Sequence, residues 1–384
     1  MIDIYSYDMV PLSDFLAEYK ELNTNNRFRP VAVGRYGIRT RESIYSKELA
    51  QDYSKNKLIY KDTLTVGMGS VQMDIGILTD DITYSVSPAY HTYRINGINC
   101  DYLRFCLQAR NADMFERYKK RGSRQGKSID LKAWLHYLIP VYEIDGQLQI
   151  VSTLHKIQSI IDDRMQQLQK LDDLVKARFV EMFGTLDNPA RQFEYFTLKE
   201  LCSKITDGKH GGCIQESGTQ RYFVGAREIY DDEVHYDTAP EISIADFEKD
   251  YKRCNLEIGD FLIVNTGATI GKSAIASDYR TEKTLLQKSV ALLKVKREVL
   301  DPIFLKWCYR VNANMYMVES ASAQPNLLLS KINSTKIYVP EIELQSQFSS
   351  FVQQIAKSKF VESIHVLKLI KEAIAKEVSH DRIR

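Results

Sequence analysis

Apolar positions follow two kinds of pattern along this chain. Over most of its length, short apolar runs alternate with turn residues. "TLTV" inside Lys61–Gly69 and "FLIV" inside Gly259–Gly267 are aliphatic and β-branched, and glycines follow them, which predicts strands closed by tight turns. Two stretches differ. From Ile150 the chain places Ile150, Leu154, Ile157, Ile161, Leu168, Leu171, Val175 and Met182 in alternating steps of three and four, with Arg164 and Arg178 on the same seam. So narrow and sustained a stripe predicts a coiled-coil helix, ended by Gly184 and the turn-rich "TLDNPARQ". A second helix follows Pro340, carrying Phe348, Val352 and Ile355, then Phe360, Ile364, Leu367, Ile374 and Val378. The phase slips by about one residue between its two groups, which local unwinding absorbs. Each seam needs cover. An antiparallel pairing of the two helices within the chain is the economical arrangement; the alternative packs each back on its own domain.

The chain also repeats itself, with a period of about 200 residues. "KDTLTVGMG" (Lys61–Gly69) matches "GDFLIVNTG" (Gly259–Gly267), and "DYLRFCL" (Asp101–Leu107) matches "FLKWCY" (Phe304–Tyr309). "VPLSDF" parallels "FTLKEL", "VAVGR" parallels "YFVGAR", and Gln125 with Pro140 is echoed by Gln324 with Pro340. The matches keep one order, which predicts two homologous halves, each closed by a long helix. The boundaries are residues 1–146 for the first globular half, 147–184 for the central helix, 185–342 for the second half and 343–384 for the closing helix. Both halves read as mixed α/β (α+β), without the regular rhythm of a doubly wound sheet.

Composition narrows the function class. At 44% hydrophobic and 27% charged, the chain has a globular composition, and no apolar run approaches the roughly 20 residues that span a bilayer. "MIDIYSYDMVPL" lacks a signal-peptide profile, and the six cysteines form no C-x-x-C pair, so a reducing cytoplasm is expected, with no disulfide framework and no zinc site. The seven histidines have no metal-ligand spacing, and hydrolase-elbow and kinase motifs are missing. Glu18, Lys20 and Asp14 faintly resemble a nuclease set, but they fall on an expected helix and are unrepeated, so they read as surface charge.

"VNTGATIGKSAIA" (Val264–Ala276) looks like a phosphate-binding loop, but only Ala268, Thr269 and Ile270 separate its first glycine from Gly271-Lys272, one residue too few. The first half has "VGMGSVQMDIG" there, without the triad, and a turn between two strands is the better reading. Net charge is only +2, yet "ERYKKRGSRQGK" concentrates Arg117, Lys119, Lys120, Arg121, Arg124 and Lys127. That run is either a nucleic-acid contact or a solvated helix end entering a loop.

With these motifs in hand, the chain resembles the specificity subunit of a Type I restriction–modification system. The resemblance rests on "LKELCSKITDGKHGG" (Leu198–Gly212), "GDFLIVNTGATIGKSAIA" and "QPNLLLSKINSTKIYVPEIELQSQF" (Gln324–Phe348), in that order. The first half is the more distant copy, with "LNTNNRF" where the Asp-Gly-x-His loop stands in the second. The resemblance implies two target recognition domains, each reading part of a split, asymmetric site on double-stranded DNA. It implies an antiparallel coiled coil that spaces them and docks two methyltransferase (modification) subunits, with restriction/translocase subunits joining for cleavage. S-adenosylmethionine, ATP and Mg²⁺ belong to those partners and none to this chain, which is expected to be neither catalytic nor membrane-bound.

Candidate DNA contacts are Lys119, Lys120, Arg121, Arg124, Gln125 and Lys127 in the first half. In the second they are Lys209, His210, Arg227, Asn265, Thr266, Thr269, Lys272 and Gln324. Arg and Gln suit base edges because both bond bidentately, while Lys272 is a phosphate contact or a plain solvated lysine. The spacer seam is expected to use Leu154, Ile157, Ile161, Leu168, Leu171 and Val175 against Phe360, Ile364, Leu367 and Ile374. Roughly 33 helical residues make a rod near 50 Å, against about 34–36 Å for one turn of DNA, so the spacer sets the two readers about one turn apart or more. A coiled-coil adaptor that binds proteins and never touches DNA is the competing class.

Overall fold

The computed structural model describes residues 6–34, 37–44, 52–121, 127–312, 315 and 327–359. Among these, the chain divides into two compact units, one up to Ile161 and the other from Asp162. In the first, Leu16–Tyr19, His91–Ile95, Thr63–Met68 and Met73–Leu78 lie side by side in that order, all antiparallel. In the second, Cys202–Asp207, Val290–Val295, Phe261–Val264 and Ser273–Ile275 do the same. In chain order both sheets run first, fourth, second, third.

The registers agree as well. Val66 faces His91 as Val264 faces Val290, and one residue further along, Tyr19 faces Thr92 as Asp207 faces Ala291. Tyr19 therefore occupies the place in the first sheet that Asp207 holds in the second. The stretch around Glu18, expected to be helical, is the strand Leu16–Tyr19. Leu12, Leu16 and Tyr19 have helical spacing, but pairing with His91–Ile95 prevails, and Glu18 Oε1 sits 2.8 Å from His91 Nδ1.

Apolar continuity in "FLIV" follows from burial on both faces of the second sheet. Phe261 and Ile263 enter a core with Leu293, Phe304 and Tyr338, while Leu262 and Val264 enter another with Val224, Leu286 and Leu292. In the first sheet Leu64 and Val66 point to a core with Tyr93, Leu103 and Trp134, and the intervening Thr63 and Thr65 are buried on the opposite face. A two-stranded ribbon closes each unit: Tyr7–Pro11 with Leu138–Tyr142, and Glu194–Thr197 with Lys336–Val339, both antiparallel.

A helix leaves each ribbon. The first, Ile144–Phe183, is 40 residues long, about 60 Å at 1.5 Å per residue. Gly184 ends it at φ +76°, a conformation that favours glycine. The second helix runs over 342–359. In the second unit, Phe179 and Phe183 meet Phe348 edge to face at ring-centroid distances of 5.3 and 5.6 Å, and Lys359 Nζ lies 2.5 Å from Asp172 Oδ1. Position 348 meets 179–183 and position 359 meets 172, so these parts of the two helices run antiparallel. Val175 is buried, and Leu154, Ile157, Ile161, Leu168 and Leu171 are half-buried. Phe360, Ile364, Leu367 and Ile374 lie outside the described residues. Among the described residues no helix is long and apolar enough to cross a membrane.

Candidate nucleic-acid interface

The Asp-Gly-Lys-His-Gly-Gly loop leaves the end of the edge strand Cys202–Asp207 and is fastened to the helix Ile244–Cys254. Ser243 caps that helix through Asp246 N–H at 3.2 Å, and Asn255 ends it at φ 49°. Its Asp246, Asp250 and Arg253 fall at i, i+4 and i+7, on one face. Arg253 Nε donates to Asp207 O at 3.0 Å and Gly208 O at 2.9 Å, and its Nη2 bonds Asp207 Oδ1. Lys209 Nζ donates to Asp250 Oδ2, and Asp246 Oδ2 accepts from Ile214 N–H at 2.7 Å. His210 Nε2 lies 3.2 Å from Asp207 Oδ2. Burial alone raises the Asp207 carboxyl, but hydrogen bonds and positive charge from Arg253 and His210 outweigh it and hold the group below its ordinary value. Asp250 raises the Lys209 ammonium by its hydrogen bond.

These tethers leave the middle of the loop open. The His210 side chain is 56% exposed against 14% for Lys209, and Gly211 and Gly212 are exposed with nothing within 4 Å of an added Cβ. Gly208 is the opposite case, because a Cβ there would be pressed onto the Leu286 carbonyl. Beside the loop lies an open cleft of about 620 Å³, lined by Gly212, Gln215, Arg227, Glu228, Gln287 and Ser289 among others. Arg227 is exposed and makes no ion pair among the described residues. Buried Glu228 takes the Gly225 N–H at 2.8 Å, so its acid braces the cleft wall.

The apparent phosphate loop is a hairpin connection. Ile263 pairs with Ser273, Gly271 N–H donates to Val264 O at 3.1 Å, and Gly267 and Gly271 stand at φ +97° and +91°. A strand follows Lys272, where a phosphate loop opens a helix. Asn265 is 4% exposed; its N–H donates to Ser289 O at 3.0 Å, and its carbonyl accepts from Leu327 N–H at 2.8 Å. Thr266 and Thr269 are half-buried, and Lys272 is exposed without an ion pair among the described residues.

In the first unit, Lys119–Arg121 pairs antiparallel with Lys127–Ile129, so the basic run forms a hairpin with Arg121 opposite Lys127. Lys119 Nζ lies 2.6 Å from Glu116 and Lys120 Nζ 2.5 Å from Asp130, in solvent-screened pairs that hold each lysine only weakly. Arg124, Gln125 and Gln324 lie outside the described residues. Among the described residues no group of three or more His, Cys, Asp or Glu side chains is placed to hold a metal ion.

The structure brings Lys209, His210 and Arg227 to one side of the second unit through residues that periodicity did not single out. Asp246, Asp250, Arg253 and Gln287 carry no motif in the sequence. The only sequence signal of Asp246, Asp250 and Arg253 is their i, i+4, i+7 spacing.

Residues 190–369 match the family described as the Type I restriction modification DNA specificity domain. A structure of the type I R-M system, described for its complex assembly and conformational transition, is 16% identical with a TM-score of 0.54, covering 97% of this chain and 96% of that one. The S subunit of a Type-I restriction-modification system from M. genitalium is 13% identical, covers 98% and 96%, and has a TM-score of 0.47. The HsdS subunit from Thermoanaerobacter tengcongensis is 16% identical, covers 97% and 96%, and has a TM-score of 0.39. No curated protein matches the sequence. Residues 190–369, a little under half of the chain, thus carry the match to the Type I restriction modification DNA specificity domain, which supports a role in DNA sequence recognition.

Proposed function

We propose that each half reads one part of a bipartite, asymmetric DNA sequence, and that the chain does so without an active site of its own. The observation that carries this reading is the shared sheet order and register, combined with different chemistry at the same address: Asp207 with its tethered loop in one half, Tyr19 in the other. Two copies of a scaffold with unlike loops suit two unlike half-sites. Residues 1–146 and 185–342 are the readers in this proposal, and 147–184 with 343–384 form the spacer. That spacer docks two methyltransferase subunits, which carry S-adenosylmethionine. Restriction/translocase subunits bring ATP and Mg²⁺. Basic and polar side chains take the phosphates and bases: Lys119, Lys120, Arg121, Arg124, Gln125 and Lys127 in the first half, and His210, Arg227, Thr269, Lys272 and Gln324 in the second. Lys209, Asn265 and Thr266 shape the surface that presents them.

Co-expression with the methyltransferase subunits, followed by genome-wide mapping of methylated bases, tests the reading. The expected result is a split, asymmetric motif of which one part changes when one half is exchanged. A stable complex that methylates without sequence preference overturns it and leaves the protein-binding adaptor.

A further inference from the structure

We propose that Asp250 and Arg253 are positioning residues for DNA reading by the second unit, and that Lys209, the basic residue inside the recognition loop, is a tether to Asp250 rather than a phosphate contact. The inference rests on the reading of this unit as a DNA reader and assigns roles within it.

Three geometric facts carry it. One helix face holds the loop at three points: Arg253 at Asp207 and Gly208, Asp250 at Lys209, and Asp246 at Ile214. Main-chain bonds lock the same segment from the other side, with Lys209 N–H to Leu286 O at 2.7 Å and Lys288 N–H to Lys209 O at 3.0 Å. The side chain of Lys209 is 14% exposed, whereas those of Lys119 and Lys120 in the first-half hairpin are 42% and 59% exposed.

Moving Lys209 to a phosphate would strand Asp250, 27% exposed, without its cation. A partly desolvated carboxylate without its counter-ion is costly, so the lysine stays where it is. What the tether yields is preorganisation. A loop already fixed at residues 207–209 and 214 presents His210 to Gly212 without an ordering cost at the moment of binding, and base reading tolerates little misplacement. At this address in the first half the Tyr19 hydroxyl donates to Leu58 O at 2.9 Å, and the loop that follows is held by a neutral amide instead, Asn23 bonding the Phe28 main chain at 3.0 and 3.2 Å.

The test is a charge exchange in the full chain assembled with its methyltransferase subunits, on duplexes carrying the mapped site with either half scrambled. Wild type must lose affinity when the second half-site is scrambled; if it does not, the DNA-reading assignment itself fails. Given that loss, Lys209→Glu and Asp250→Lys singly are expected to cut discrimination at the second half-site about tenfold or more, leaving first-half discrimination unchanged. The double exchange is expected to restore it to within about threefold. The amide pair Lys209→Gln with Asp250→Asn keeps a hydrogen bond without charge and covers the case in which a charge reversal does not fold. It is expected to discriminate like wild type with an unchanged salt slope. A phosphate contact behaves differently: both double variants stay weak, and the salt slope falls by about 0.9. That result overturns the tether, as does wild-type discrimination by the single reversals. A loss that tracks the thermal midpoint and affects both half-sites alike reduces the pair to general stability and overturns the positioning role.

Discussion

Gln147 and Gln345 make two equivalent bonds in the two halves, and Gln345 adds a third to Val299 O at 3.0 Å. Gln147 accepts the Asn99 N–H through Oε1 at 2.9 Å and donates to Tyr142 O at 2.7 Å; Gln345 accepts the Asp301 N–H at 2.9 Å and donates to Pro340 O at 2.7 Å. Both are buried, at 3% and 0% exposure. Asn99 and Asp301 are in turn the caps of the helices Cys100–Ala109 and Pro302–Val311. One amide thus ties the start of each long helix to a helix cap and to the end of the closing ribbon.

Gln345→Ala should therefore leave the Pro340 and Val299 carbonyls and the half-buried Asp301 N–H without this partner, at a cost of about 2–4 kcal/mol. Trp134 lies in the first unit and Trp307 in the second, so a Trp134→Phe background reports the second unit alone in urea unfolding followed by fluorescence. A transition unmoved by Gln345→Ala would show that the amide is replaceable by water.

Gly208→Ala and Gly225→Ala should differ in kind. The added methyl at 208 meets the main chain of Leu286, which cannot yield without moving a strand, whereas at 225 it meets the amide end of the Gln287 side chain. Gly208→Ala is expected to weaken second-half-site binding by about 1–3 kcal/mol, and Gly225→Ala by less. Equal effects would mean that the Gln287 amide is as fixed as backbone.

Arg227→Ala and Lys272→Ala are expected to separate base reading from phosphate positioning. Arg227→Ala should cost about 1–3 kcal/mol and relax preference at a single base pair. Lys272→Ala should weaken all sequences alike and lower the salt slope by about 0.9. Binding titrations across salt on single-substitution duplexes give both quantities, and a base-selective effect of Lys272→Ala would exchange the roles.

The depressed Asp207 carboxyl predicts a pH dependence with a definite sign. Its folded value lies below the unfolded one, so the stabilisation is complete above the ordinary carboxylate range, about pH 4, and disappears as pH falls through the depressed value. The difference in thermal midpoint between the protein and Asp207→Asn should be constant from neutral pH to about 5 and close below about 4. A gap that persists in strong acid would show that the carboxylate charge is not what holds Arg253.

Duplicating about seven residues of the long helix between Leu154 and Leu171 adds about 10 Å, the rise of about three base pairs. The unread gap in the methylated motif is expected to widen accordingly, and an unchanged gap removes this helix from the spacing role.

The parts of the fold legible in the sequence were those with local or repeated signals. The helix ending at Gly184 follows from its stripe. The hairpin at Gly267 and Gly271 follows from a loop one residue short of a phosphate cradle, and the duplication from matched strings in one order. Leu16–Tyr19 was not legible, because a helical spacing of apolar residues was overruled by a partner strand some 75 positions later in the chain. The tether at Lys209 was hidden for the same reason. A lysine beside two glycines looks exposed until the helix carrying Asp250 folds over it.

The ribbons that close each half have a consequence for inheritance. Because Tyr7–Pro11 lies against Leu138–Tyr142, and Glu194–Thr197 against Lys336–Val339, the chain enters and leaves each module at the same place. Two crossovers in the gene, one on either side of such a ribbon, would exchange an entire reading cassette while leaving the long helices and the surfaces they offer untouched. If each half reads as proposed, new target sequences would arise by shuffling intact parts, without a search through point mutations that must preserve folding at every step.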